Sequence, residues 1–138
     1  MEDHRRYVRS IETDADLSPA PFKSRPGFVR LWRALVYSRD GLRAALRHEA
    51  AFRQKLAIGV PLIVLAWWIA PGRWAALAMT VSIVAVFVVE LLNSALEALA
   101  DAACRDAHPL IKRAKDMGSA AVMLSIVAAA AVWVVALL

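Results

Sequence analysis

Residues 74–101 read WAALAMTVSIVAVFVVELLNSALEALAD, and the fold turns on how this stretch is taken. No charge interrupts it from Trp74 to Val89, and the helical pattern continues through Glu90 to about Ala100. A helix rises about 1.5 Å per residue, so Glu90 lies about 24 Å along from Trp74, near one edge of a hydrocarbon core roughly 30 Å thick. The polar residues that follow are not scattered. Glu90, Asn93, Glu97 and Asp101 recur at helical spacing, which gathers the three acids into one stripe. A carboxylate turned toward lipid costs at least about 3 kcal/mol, so this face is expected to meet protein, water or a metal ion. By spacing alone, the stripe reads equally well as a polar helix end leaving the membrane and as a functional surface.

Two further apolar runs flank this one. Leu56 to Ala70 is short for a span, but Ala50 to Phe52 extend it inward if Arg53 and Lys55 snorkel toward headgroups. Pro61 is compatible with a membrane helix but not with the expectation of a straight one. Pro71-Gly72 ends the run, and Trp67, Trp68 and Trp74 flank that turn as aromatic residues do at an outer interface. Met117 to Leu138 carries no charge and is long enough to cross alone. With 60% hydrophobic residues and a mean hydropathy of +0.52 in 138 residues, the expectation is one all-α membrane domain. Its spans are placed at about 51–70, 74–100 and 117–138.

Ahead of the spans, Phe28, Leu31, Trp32 and Leu35 follow a helical period among Arg30, Arg33, Arg39, Arg43 and Arg47. This predicts an amphipathic helix over about 28–48 lying on an anionic membrane surface, with Gly41 as the point where it would divide. Residues 1–26 are charged and include Pro19, Pro21 and Pro26, so they are expected to form a flexible tail, with residues 27–138 forming the membrane domain. No signal peptide is expected.

The net charge of +5 would suit nucleic acid in a soluble chain, but the basic residues are distributed as membrane topology. Twelve of the 17 precede Leu56, Arg73 stands alone in the first connection, and Arg105, Lys112, Arg113 and Lys115 lie in the second. The N-terminus and second loop are thus expected inside and the C-terminus outside, with no nucleic-acid partner. Cys104 is a lone cysteine, and His4, His48 and His108 offer no zinc spacing.

Beyond the stripe, Glu49 sits at another inner boundary within RHEAAFRQ, residues 47–54. An acid beside arginines is usually a surface ion pair. Paired with an acid from the stripe, it would instead supply an adequate protein share of a Mg²⁺ site. Lys112 to Ser119, KRAKDMGS, is expected to close the second loop and open the last helix. Basic residues there fit a phosphate site at a helix N-terminus and fit topology equally, and Asp116 fits a simple helix cap.

Three segments together resemble the bacterial diacylglycerol kinases. They are ELLNSALEAL at 90–99, RAKDMGSAAV at 113–122 and GLRAALRHEAAFRQ at 41–54, in order over a three-span layout that covers about Gly27 to Leu138. The resemblance implies a homotrimer with a surface helix on each subunit and active sites formed between neighbours at the cytoplasmic face of a bacterial inner membrane, the C-terminus being periplasmic. It implies Mg²⁺-dependent transfer of phosphate from ATP to diacylglycerol. Glu90 would be the general base, and Glu49 and Glu97 would hold Mg²⁺ and ATP. Arg30, Tyr37, Asp106, His108, Lys115 and Asp116 would join the nucleotide site. Arg30, Arg53, Gln54, Asn93 and Ser119 would lie by the lipid substrate. The chain departs from the family pattern at Lys55, where an acid is expected, and at Arg39, where an aromatic residue is expected.

Phosphoryl transfer requires positioning and charge neutralisation more than covalent chemistry, which this set could supply. No glycine-rich phosphate loop of the Walker A kind is present. Two rivals differ from this reading. One is the same fold phosphorylating undecaprenol. The other is a transporter or scaffold using the acids to gate ions or hold helices, although a transporter would put its essential acid nearer the bilayer midplane than Glu90.

Overall fold

The computed structural model describes residues 27–103 and 108–138. The expected tail at 1–26 and the candidate Asp106 lie outside these residues. Among the described residues four α-helices follow one another: α1 (Gly27–His48), α2 (Ala50–Ile69), α3 (Arg73–Ala103) and α4 (Pro109–Leu137). The chain divides into two units at Ser38, so α1 contributes to both, and the helices α2 to α4 belong wholly to the second.

The surface-helix segment is one continuous helix, with no division at Gly41. A single intrahelical glycine costs about 1 kcal/mol relative to alanine, which is too little to break a helix favoured by its flanking residues. The break falls instead at Glu49, whose extended φ and ψ of −101° and 104° separate α1 from α2. Its backbone N–H still reaches Ala45 O at 2.9 Å, so only one residue turns the chain.

Three helices, α2, α3 and α4, are long and apolar enough to cross a membrane, which makes this a multi-pass membrane protein. The middle one, α3, packs against both others. Glycine sets the close approach of α2 to α3. A Cβ at Gly59 would lie 2.9 Å from Ile83 Cγ2 and 2.7 Å from Phe87 Cε1. Just beyond, Phe52 and Phe87 meet edge to face with centroids 6.5 Å apart. Pro61 lies inside α2 without ending it.

Hydroxyl groups in the spans are turned back on their own helices. Thr80 donates to Ala76 O at 2.8 Å, and Ser125 donates to Val122 O at 2.7 Å. The indole of Trp133 links α4 to α3 by donating to Met79 O at 3.3 Å. Much of the apolar surface is left outward, with Trp68 84% exposed. Such a surface suits lipid or other transmembrane helices better than water.

The last helix starts earlier than its apolar run. His108 is the N-cap, its Nδ1 accepting from Leu110 N at 3.2 Å, and Pro109 occupies the first turn. Lys112, Arg113, Lys115 and Asp116 are therefore helical residues. Asp116 is not a cap, and the basic segment is not the loop end expected from hydropathy. Charge on these side chains lowers local hydropathy but does not oppose helix formation, because their helix propensities are adequate and Pro109 starts the turn.

Candidate active site

The acidic stripe on α3 is one face in geometry but three different environments. Glu90 is buried, with a side chain only 2% exposed. Its Oε1 lies 3.0 Å from Nζ of Lys55 on α2, whose side chain is 24% exposed. Its Oε2 is buried and has no hydrogen-bond partner. Lys55 is thus not a headgroup-seeking side chain, as its place in the sequence suggested. It turns inward because an unpaired carboxylate within a helix pair would cost more than the freedom the lysine gives up.

One turn along, Asn93 is half-buried and donates through Nδ2 to Glu97 Oε1 at 2.9 Å. Asn93 Oδ1 is buried without a partner. It is pressed against α4 at Gly118, where a Cβ would collide with this oxygen. The glycine is what lets α4 approach the amide, and through it the Glu97 carboxylate. At the far end of the stripe, Asp101 Oδ1 accepts from Lys115 Nζ at 2.8 Å in a largely exposed pair. Water reaches this pair freely, so it ties the helix ends together weakly.

Among the other expected residues, Glu49 is half-buried at the α1–α2 junction and its carboxylate makes no capping bond. Arg53 donates through Nη1 to Arg47 O at 3.3 Å and Leu46 O at 3.4 Å, satisfying carbonyls at the end of α1. Gln54 is exposed on α2. Asp116 is held by Lys112 at 2.6 Å on the surface of α4, and Ser119 is exposed one turn further. Arg30 and Tyr37 belong to the other unit, where both are exposed on α1.

Glu90 is therefore ion-paired with Lys55 of α2, Glu97 is hydrogen-bonded by Asn93 of its own helix, and Asp101 is joined to Lys115 of α4. Reading the sequence missed the partnership of Lys55 with Glu90 and the part played by Gly118. A lysine at the start of one apolar run and an acid at the end of another were the available signal for the first. A glycine inside a helix beside RAKDM was the signal for the second.

A hard divalent cation takes carboxylate oxygens of the kind Glu49 and Glu97 carry. Glu49 and Glu97 offer carboxylate oxygens that are only half-buried. No group of three His, Cys, Asp or Glu converges among the described residues. A cation held by these two carboxylates would draw only part of its shell from this chain, as Mg²⁺ does when phosphate and water complete its octahedron.

Chemically, the stripe offers a buried carboxylate with one unpartnered oxygen beside a lysine of α2, then an amide–carboxylate pair, and at its far end an acid paired with Lys115 of α4. A profile of the prokaryotic diacylglycerol kinase family matches residues 36–137. A diacylglycerol kinase of Pseudomonas aeruginosa is 42% identical over 122 residues, covering 88% of this chain and 99% of that one. One from Escherichia coli is 42% identical over 111 residues, covering 80% and 91%. One from Helicobacter pylori is 40% identical over 109 residues, covering 78% and 84%. A match across α2, α3 and α4, with relatives aligned nearly end to end, shows that this chain belongs to the prokaryotic diacylglycerol kinase family.

Proposed function

We propose that the chain phosphorylates diacylglycerol with ATP, giving phosphatidic acid and ADP at the cytoplasmic edge of a bacterial inner membrane. The state of Glu90 carries the mechanistic part: a buried carboxylate tied by one oxygen to Lys55 keeps the other without a partner. A free oxygen of this kind is what a general base must present to a hydroxyl. Family membership and the names of the relatives support the reaction and the lipid.

In this reading the lipid hydroxyl oxygen forms a bond to the γ-phosphorus while the bond from that phosphorus to the β,γ-bridging oxygen breaks. The hydroxyl proton passes to Glu90 Oε2, and the electron pair of the broken bond leaves with ADP. Glu49 and Glu97 would hold Mg²⁺, which neutralises phosphate charge when bound. Asn93 orients Glu97 by donating to one of its oxygens, and so supports both the metal and the lipid side of the site. Lys115 and Asp116 lie on the first turns of α4 and would contact the nucleotide, with Arg30, Tyr37, Asp106 and His108 completing its site. Arg53, Gln54 and Ser119 would border the lipid headgroup together with Arg30.

A single chain leaves large apolar areas of α2, α3 and α4 uncovered, which supports assembly into a homotrimer with active sites between neighbours. The concentration of basic residues before Leu56 and in the second connection supports a cytoplasmic N-terminus and a periplasmic C-terminus.

The test uses purified protein in mixed micelles with Mg²⁺ and γ-labelled ATP, offering diacylglycerol or undecaprenol. Labelled phosphatidic acid is expected, and Glu90→Gln should abolish it without unfolding the protein. Preferential labelling of undecaprenol would keep the mechanism and change the substrate. Absence of labelled lipid from folded protein would reject the kinase reading for this chain.

A further inference from the structure

We infer that Lys55 is a positioning residue for the reaction: by pairing its ammonium with one oxygen of Glu90, it holds the carboxylate so that the other oxygen is the one offered to the substrate hydroxyl. The inference rests on Glu90 acting as the base. It adds a residue that has no role among the binding and metal groups already considered.

The geometry supplies three separate reasons. First, the ion pair is one-sided. Nζ of Lys55 lies 3.0 Å from Glu90 Oε1, while Oε2 is buried and unpartnered. A point-charge ammonium can hold one carboxylate oxygen in this way, whereas a planar guanidinium tends to engage both. Second, the other oxygen of the carboxylate has no alternative partner. Lys55 lines a groove of 450 Å³ between the spans, whose other walls include Ile58, Gly59, Phe87, Ala129 and Trp133. In such surroundings the 2% exposed carboxylate would be stranded without the lysine, whose own side chain is 24% exposed. Third, the backbone under the pair is fixed. The glycine at 59, four residues beyond Lys55, packs directly against Phe87, which precedes Glu90 by three residues. Helix α2 therefore cannot rotate Lys55 away from α3 without displacing that contact.

The consequence is a division of labour within one carboxylate. Oε1 is occupied by Lys55, the negative charge is compensated, and Oε2 stays available in a fixed direction. Without the lysine, the carboxylate would be free to rotate about its last side-chain bond and would lose the compensating charge.

Steady-state kinetics of Lys55→Arg, Lys55→Gln and Glu90→Gln test this, each protein first checked for trimer-sized monodispersity and thermal unfolding in detergent. Lys55→Arg keeps the positive charge, so a merely structural lysine would be replaced with little loss. The positioning role predicts otherwise: a folded protein whose kcat falls about tenfold or more, because the guanidinium fork takes Oε2, with KM for ATP unchanged. That loss is a substantial part of the roughly 10²–10⁴-fold contributed by a positioned proton acceptor. Lys55→Gln, which keeps a single neutral donor, should also lower kcat without raising KM for ATP. If Lys55→Arg does not fold, folded Lys55→Gln decides the matter by the same criterion.

Wild-type kcat in a folded Lys55 variant, with Glu90→Gln inactive, would overturn the positioning role alone. Full activity in Glu90→Gln would overturn the assignment of the base and the inference with it.

Discussion

Two lysine–carboxylate pairs lie along the same face of α3, and their lengths are nearly equal. Lys55 and Glu90 are 3.0 Å apart, and Lys115 and Asp101 are 2.8 Å apart. Their surroundings differ far more than their distances. In the first pair the carboxylate is buried between α2 and α3, with Glu90 2% and Lys55 24% exposed, while Asp101 in the second is 70% exposed. Contact distance thus says little about what an ion pair contributes. Water decides, because an exposed charge that loses its partner is resolvated and a buried one is not.

The most severe way to probe the contrast is to remove the buried carboxylate's chemistry. Glu90→Gln should lower lipid phosphorylation by roughly 10²–10⁴-fold, measured as initial rates of labelled phosphatidic acid formation. Near-normal turnover would mean that the buried pair is only structural. The corresponding Asp101→Asn should leave turnover within the same order of magnitude at saturating ATP.

Next in size is the stability of the enclosed pair. Lys55→Met strands Glu90 and should destabilise the protein by about 3–5 kcal/mol, read from denaturant titration in mixed micelles. Combining Lys55→Met with Glu90→Gln should recover much of that loss, because no unpaired charge remains. Additive losses in the double variant would show that the two side chains are not energetically coupled.

A smaller effect is expected between the two pairs. Gly118→Ala would force Asn93 away from α4 and break its bond to Glu97, costing about 1 kcal/mol and raising the Mg²⁺ concentration needed for half-maximal rate. An unchanged magnesium requirement would separate Glu97 from the metal. The smallest stability change belongs to the exposed pair. Asp101→Asn should barely move the unfolding transition, and any change should shrink further as salt is added. A large loss of stability there would erase the distinction between the two pairs.

Much of the fold was legible because its signals are local. The uncharged run from Trp74 to Val89, the Pro71-Gly72 break and the amphipathic period after Gly27 all report helix and turn directly. The start of α4 was harder to see. Hydropathy marks where a helix becomes apolar, whereas His108 and Pro109 mark where its hydrogen bonding begins. Gly41 erred in the other direction, since a residue that is locally unfavourable is tolerated when its neighbours all favour the helix. For the candidate site, periodicity put Glu90, Asn93, Glu97 and Asp101 on one face, and the segments around them pointed to the family. Their individual states were not visible at that level.

The amino-acid sequence by itself determined an all-helical membrane chain with three candidate spans, an acidic stripe near one end of the middle span and a kinase family pattern. These properties depend on composition and on spacing within single helices, which a linear chain records. Only the tertiary structure decided that Lys55 meets Glu90, that Gly118 is pressed against Asn93, and that Asp101 remains in water with Lys115. Those outcomes depend on which faces of different helices approach one another, and on how much water is excluded when they do. Residues distant in the chain acquire that relationship only when the helices pack.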